Sequence, residues 1–236
     1  MHRVAFLPGL LCDAQLWQPQ VEGLADRIEP WVADVTRDDS IVGMASRVLA
    51  EVPFERFALC GLSMGGYVAL ELMRQAPQRV ARLALLDTQA IAETPEARER
   101  RLALIALAQG GRFPTVIERL LPLELYAPHL ANADLVRVIK SMARNVGEQA
   151  YLRQQQAILQ RHDSTLSLPD IACPTLVLCG EHDQLTPRAR HEEIAARVPR
   201  AALVVVPDCG HMSTLEKPEE VNRALGAWLG QPSQAG

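Results

Sequence analysis

Hydrophobic positions in the first third of the chain come as short unbroken runs separated by stripes of helical period. Val4-Ala5-Phe6-Leu7 is one such run, suited to a strand covered on both faces, and it breaks at Pro8-Gly9. Pro19 opens a stretch in which Val21, Leu24, Ala25 and Ile28 share one helical face, which predicts a helix. Trp31-Val32-Ala33 reads as a short strand. Asp38-Asp39-Ser40 offers N-caps for a second helix, with Ile41, Ala45, Val48, Leu49 and Val52 on one stripe. Residues 56–60 form another strand, Tyr67 to Met73 a run of helix formers ending before Pro77, and Arg82 to Asp87 a further buried strand. The order βαβαβαβ argues a parallel sheet with helices on both faces. With only two residues before Arg3, the first strand is expected at 3–7, without a two-stranded extension ahead of it.

The alternation then stops. From Thr88 to about Ala172 no strand pattern is found; helices are expected over about 95–109, 114–121, 133–146 and 148–160, punctuated by Gly110-Gly111, Pro122, Pro128 and Gly147. In the third, Leu135, Ile139, Met142, Ala143 and Val146 fall on one face. Strands resume at 174–179 and 203–206, followed by helices at 187–198 and 218–229. The expected division is therefore an α/β core of residues 1–88 and 173–236, with residues 89–172 a helical lid. Such a lid would lie over the C-terminal ends of the strands, where open α/β sheets place their sites. The tail after Gly230 is expected to fray.

Composition narrows the class. The chain has 236 residues, 48% hydrophobic and 22% charged, with a formal net charge of −4, the balance of one globular domain with an ordinary core. No basic tail or patch suggests nucleic acid. No apolar run approaches the roughly 18 residues a spanning helix needs, and the N-terminus lacks a signal-peptide pattern, so a cytoplasmic location is expected. The five cysteines are scattered and read as reduced core thiols. Neither a metal nor a cofactor is expected, since no zinc-ligand spacing occurs among Cys and His.

The chemistry concentrates at Cys60-Gly61-Leu62-Ser63-Met64-Gly65-Gly66, a G-x-S-x-G set between a strand and a helix. That context is a nucleophile elbow, which lifts the serine above the sheet and aims the N–H of Met64 at a nearby oxyanion. A serine hydroxyl needs a base, and the base an orienting acid. His211 follows the last strand across a short loop and is the candidate base. Asp183, in Gly180-Glu181-His182-Asp183 at the end of strand 174–179, is the favoured acid; Asp87, ending the strand after the elbow helix, is its rival. The second oxyanion donor is expected from the turn Pro8-Gly9-Leu10-Leu11, with the N–H of Leu10 first and Leu11 as alternative. Cys60 lies in the strand and reads as core filler rather than nucleophile. His182 reads as a solvated loop residue.

These motifs resemble those of the α/β-hydrolases, in the small, lidded esterase type. The matching stretches are Pro8-Gly9-Leu10…Trp17, Gly61-Leu62-Ser63-Met64-Gly65-Gly66, Gly180-Glu181-His182-Asp183…Pro187 and Gly210-His211-Met212-Ser213-Thr214-Leu215-Glu216-Lys217-Pro218. Two departures stand out: Pro8 replaces a common His at the oxyanion turn, and Leu62 a frequent His before the nucleophile. Length and a four-helix lid are similar to those of the carboxylesterases that remove the methyl ester of pimeloyl-carrier-protein.

The resemblance implies hydrolysis of a carboxylic ester, thioester or lactone through an acyl-serine, on a small acyl ester or an acyl-carrier substrate. Two alternatives remain open: a different reaction on the same triad, such as elimination, C–C bond hydrolysis or perhydrolysis, and a ligand receptor that kept the fold. The lid should supply an apolar acyl pocket; Tyr126, Met142 and Tyr151 are candidate lining residues, with packing inside the lid the favoured role for each. Its arginines (98, 100, 101, 112, 119, 137, 144, 153 and 161) would suit an acidic carrier if some ring the mouth; the favoured reading is a solvated helix face.

Overall fold

A computed structural model describes residues 1–231; apart from Gln231, the tail whose fraying was expected lies outside the described residues. Strands β1 (His2–Leu7), β2 (Ile28–Val32), β3 (Phe57–Leu62), β4 (Val80–Leu86), β5 (Thr175–Gly180) and β6 (Ala201–Val206) form one six-stranded sheet in the order β2-β1-β3-β4-β5-β6. Every pairing is parallel. Helices α1 (Gln18–Gly23), α2 (Ile41–Glu51) and α3 (Met64–Gln75) link the first four strands. Between β4 and β5 the chain runs through α4 (Pro95–Leu107), α5 (Phe113–Glu124) and α6 (Ala133–Leu159), with no strand. Helices α7 (Arg188–Arg197), α8 (Ser213–Glu216) and α9 (Pro218–Leu229) complete the chain.

The pleat divides the core in two, because successive strand residues face opposite sides. Val4, Phe6, Ala58, Cys60, Leu62, Ala84 and Leu86 face a cluster shared with α1, α9 and much of α4–α6. Ala5, Leu7, Phe57, Leu59, Leu83 and Leu85 face a second cluster with α2, α3 and α7. Burial on both faces is why the strands read as continuous apolar runs rather than alternating ones.

Two local expectations shift. The first helix stops at Gly23 rather than continuing to Ile28, which instead opens β2. A Cβ on Gly23 would collide with the Asn222 amide, so α1 ends where it meets α9. Ile28 and Leu24 nevertheless bury into the same cluster, which is why they shared an apparent helical stripe. The helices expected at 133–146 and 148–160, by contrast, are found as the two parts of α6, separated at Gly147, whose φ 75° and ψ 167° are not helical. The helix expected to end at 121 carries Pro122 within its last turn and ends at Glu124. Ser40 is the N-cap among the three candidates, accepting from Gly43 N–H at 3.1 Å.

The sheet meets the elbow helix through glycines that leave no room for a side chain. A Cβ on Gly65 would overlap the carbonyl of Leu7 in β1, and one on Gly61 the carbonyl of Gly65. Gly110, by contrast, has φ −79° and open space around its Cα. Gly65→Ala should therefore lose about 3 kcal/mol or more in denaturant unfolding, since backbone must move. Gly110→Ala should stay within about 1 kcal/mol of the parent. Equal effects would contradict this account of the β1–α3 contact.

Candidate active site

Ser63 sits between β3 and α3 with φ 55° and ψ −116°, a conformation an L-residue adopts only at a cost of about 1–3 kcal/mol. It is held there by the surrounding sheet. Ser63 N–H donates to the Leu86 carbonyl at 3.0 Å, and the Thr88 hydroxyl donates to the Ser63 carbonyl at 2.8 Å. The sharp turn lifts the side chain off the C-terminal edge, where Ser63 Oγ lies 2.8 Å from His211 Nε2.

His211 stands in the loop between β6 and α8. Its Nδ1 lies 2.8 Å from Asp183 Oδ2, and its backbone N–H donates to the Glu124 carbonyl at 2.8 Å. Asp183 is fixed from its own loop: Oδ1 accepts from Leu185 and Thr186 N–H at 2.8 and 2.9 Å, and Oδ2 from the Thr186 hydroxyl at 2.6 Å. Burial works against ionising Asp183, but the positive charge and hydrogen bond of His211, together with Thr186, outweigh it and hold the carboxyl below its ordinary range. Burial likewise opposes charging His211, and Asp183 outweighs it, raising the imidazole above its ordinary 6.5.

Asp87 is also at this edge but makes no bond to His211. Its Oδ1 accepts from Gly180 N–H at 3.0 Å, and its Oδ2 from the Ser213 hydroxyl. Fully buried, it is pushed well up, by burial first and by Asp183 second. Of the two rival acids, the structure brings Asp183 to His211 and gives Asp87 to the backbone of β5 and to α8.

The two expected oxyanion donors are both unengaged among the described residues. Met64 N–H opens α3 and has no acceptor within the helix, and Leu10 N–H has none in its turn. The alternative, Leu11 N–H, is engaged: it donates to Gln154 Oε1 at 3.1 Å. Leu10, Ser63 and His211 share a cavity of about 250 Å³.

The cavity is less apolar than the pattern suggested. Leu62, Leu104, Leu120, Leu123 and Ile158 line it, but so do Glu93, Arg100, Arg101 and Glu124. Tyr126, Met142 and Tyr151 are not on its wall. Met142 and Tyr151 are buried in the core, with Tyr151 against Phe113 at 5.6 Å, and Tyr126 stacks on the exposed ring of His182 at 4.4 Å. Cys60 is buried in β3, where burial pushes its thiol well up. Among the described residues no cluster could hold a metal ion, and no helix is long and apolar enough to cross a membrane.

Three residues with no role in the sequence reading brace the site. Glu216 Oε1 accepts from Gly210 and Met212 N–H at 3.0 and 3.1 Å, on either side of His211. Its Oε2 takes Tyr126 N–H at 2.9 Å and lies 2.8 Å from His129 Nδ1. Gln154 joins α6 to the turn Pro8-Gly9-Leu10-Leu11, through the Leu11 N–H, and to the Val35 carbonyl at 3.2 Å. Thr186 supports Asp183 as described. Only Glu216 carried a signal, its place five residues after His211.

The model for the alpha/beta hydrolase fold matches residues 8–218. A pimeloyl-[acyl-carrier protein] methyl ester esterase of Nitrosomonas europaea is 29% identical over 92% of this chain and 91% of its own. The protein of the same name from Aromatoleum aromaticum is 32% identical over 78% of each chain. A solved thermophilic esterase from Thermogutta terrifontis superposes with a TM-score of 0.87 at 29% identity, over 97% of this chain and 89% of that one. A parallel sheet with a serine elbow at its edge, and a family match spanning nearly its whole length, show that this chain belongs to the α/β-hydrolase family.

Proposed function

We propose that the chain is a serine hydrolase that cleaves a carboxylic ester, thioester or lactone through an acyl-serine. The observation that carries this reading is the unbroken path Ser63 Oγ–His211 Nε2 and His211 Nδ1–Asp183 Oδ2, each at 2.8 Å, opening on a cavity. Ser63 attacks the acyl carbonyl while His211 takes its proton. Asp183 holds the Nδ1–H tautomer and stabilises the imidazolium. The N–H groups of Leu10 and Met64 receive the oxyanion, each such donor being worth about 2.7–4 kcal/mol in the transition state. Collapse expels the alcohol with the proton from His211, and water repeats the sequence to release the acid.

The substrate class is a small acyl ester or an acyl-carrier ester, the latter supported by the names of the relatives. Residues 89–172 act as the lid over the core formed by 1–88 and 173–236. What supports this is that α4 and α5 supply Ala97, Leu104, Leu120 and Leu123 to the cavity that holds Ser63.

Ser63→Ala should lower kcat for short p-nitrophenyl esters by about 10⁶ with unchanged circular dichroism, and His211→Ala by a similar factor. The double variant should be no worse than either, because the two act as one unit; near-normal turnover in either single variant would sink the assignment. Asp183→Asn should lower kcat by about 10⁴, and Asp87→Asn far less. Since His211 must be neutral to act as base and its pKa is raised, the acid limb of kcat/KM should lie above pH 6.5. Asp183→Asn removes the carboxylate that raises it, so the limb should move down. The reverse ranking, or an unmoved limb, would give the role to Asp87. Leu104→Ala and Leu123→Ala should change the ratio of long- to short-acyl kcat/KM by about tenfold. An unchanged chain-length profile would remove the lid from the acyl pocket.

A further inference from the structure

Of the ionisable side chains on the cavity wall, Glu93 and Arg101 are bonded to each other at 3.0 Å, and Arg161 also binds Glu93. Arg100 and Glu124 have no hydrogen-bond or ion-pair partner among the described residues. Arg100 is exposed on α4, at the rim. Glu124 is the last residue of α5, and its own carbonyl accepts the N–H of His211 at 2.8 Å. Glu124 thus lines the cavity beside the candidate base, and its carboxyl is close enough to His211 for the two charges to interact. It also borders the small recess formed by Leu10, Cys12, Leu120 and Met212, next to the oxyanion turn.

A half-buried carboxyl without a donor is costly, and a partner arriving with the ligand would remove that cost. In the hydrolase reading above, on which this inference rests, His211 hands its proton to the departing oxygen. The alcohol portion of the ester thus lies on the His211 side of the cavity, the side Glu124 occupies. We propose that Glu124 is a specificity-determining residue that selects esters whose alcohol portion carries a hydroxyl or ammonium hydrogen-bond donor.

The electrostatics agree. Burial pushes Glu124 up to about 7, with His211 opposing and Glu216 adding to the rise. The remaining ionisable groups around it are Cys12, whose thiol is itself raised by burial, and Glu93, Arg100 and Arg101 on the same cavity. A donor from the substrate favours the ionised carboxylate at neutral pH; an apolar alcohol leaves the carboxyl unpaired.

The test compares kcat/KM for the 2-aminoethyl, 2-hydroxyethyl and propyl esters of one short acid. The parent protein should prefer both donor-bearing esters by about tenfold or more over propyl. In Glu124→Leu both ratios should fall to about one. In Glu124→Gln the hydroxyl preference should survive in part and the ammonium preference should vanish, because the amide accepts a hydrogen bond without charge. Ratios within one variant are insensitive to partial loss of folded protein. A parent ratio near one, a ratio that survives in Glu124→Leu, or a preference that follows a donor placed on the acyl side instead would overturn the proposal. Should no ester be turned over and a fluorophosphonate fail to label Ser63, the hydrolase reading falls separately. Calorimetric binding of the same three esters to Ser63→Ala then decides the question for Glu124. Tighter binding of the donor-bearing esters, abolished by adding Glu124→Leu, supports it, and equal binding overturns it.

Discussion

The contact that the rest of this structure depends on is the one between the backbone of β1, β3 and α3 at Gly61 and Gly65. These glycines let the helix start directly against the strand ends, with the carbonyls of Gly65 and Leu7 occupying the space where their side chains would be; at Gly66 the Thr88 side chain occupies it. That proximity forces the turn into the positive-φ conformation at Ser63. The strain is local, and the ladder bond to Leu86 and the Thr88 hydroxyl hold it in place. One consequence is positional: Ser63 Oγ projects beyond the sheet edge while Met64 N–H remains unengaged at the start of the helix. A looser junction would lose both together.

Two carboxylates converge on the same edge, and surroundings rather than sequence separate their roles. Asp183 receives two backbone N–H bonds, a hydroxyl and the imidazole, enough to keep it ionised despite burial. Asp87 has one N–H and one hydroxyl, and it lies near the charge of Asp183, so the neutral acid is favoured. Two buried anions at one edge would repel each other, so the second serves best as an uncharged brace between β5 and α8.

Much of this was legible. Buried parallel strands announce themselves as apolar runs, and the G-x-S-x-G, Gly-x-x-Asp and Gly-His motifs fall at strand ends because the fold places loops there. The misread first helix shows where legibility stops. The spacing of Val21, Leu24 and Ile28 records a shared core, not a shared helix, since a strand residue can bury into the same cluster. The roles of Glu216, Gln154 and Glu124 were hidden for a different reason. Gln154 acts on Leu11 and Val35, 143 and 119 positions away, and Glu216 on Tyr126 and His129, 90 and 87 positions away, as well as on its own loop; only the place of Glu216 after His211 gave any mark in the sequence. The cavity's polarity was concealed likewise: Arg101 and Glu93 belong to a helix and its approach that read as an ordinary solvated face, yet they pair inside it.

The arginines of the insertion bear on what α4–α6 do. Arg161 crosses to Glu93 and the Ile91 carbonyl and lies over the Tyr67 ring at 4.4 Å. Arg153 reaches the Thr36 carbonyl at 2.9 Å, and Arg101 pairs with Glu93 and Gln155. These three are tethers within the molecule, while Arg100 is left at the cavity and Arg112, Arg119 and Arg144 are exposed. The same insertion holds the Pro8–Leu11 turn through Gln154 and the His211 loop through the Glu124 carbonyl and the Tyr126 N–H bond to Glu216. Polar bonds of this kind fix register more sharply than apolar contact, because each has a narrow geometry. The insertion is therefore tied to the sheet edge at two points: a shift of α5 or α6 would displace the loop carrying His211 and the turn carrying Leu10 at once. The shape of the pocket and the alignment of the reacting groups are thereby coupled through the same few hydrogen bonds.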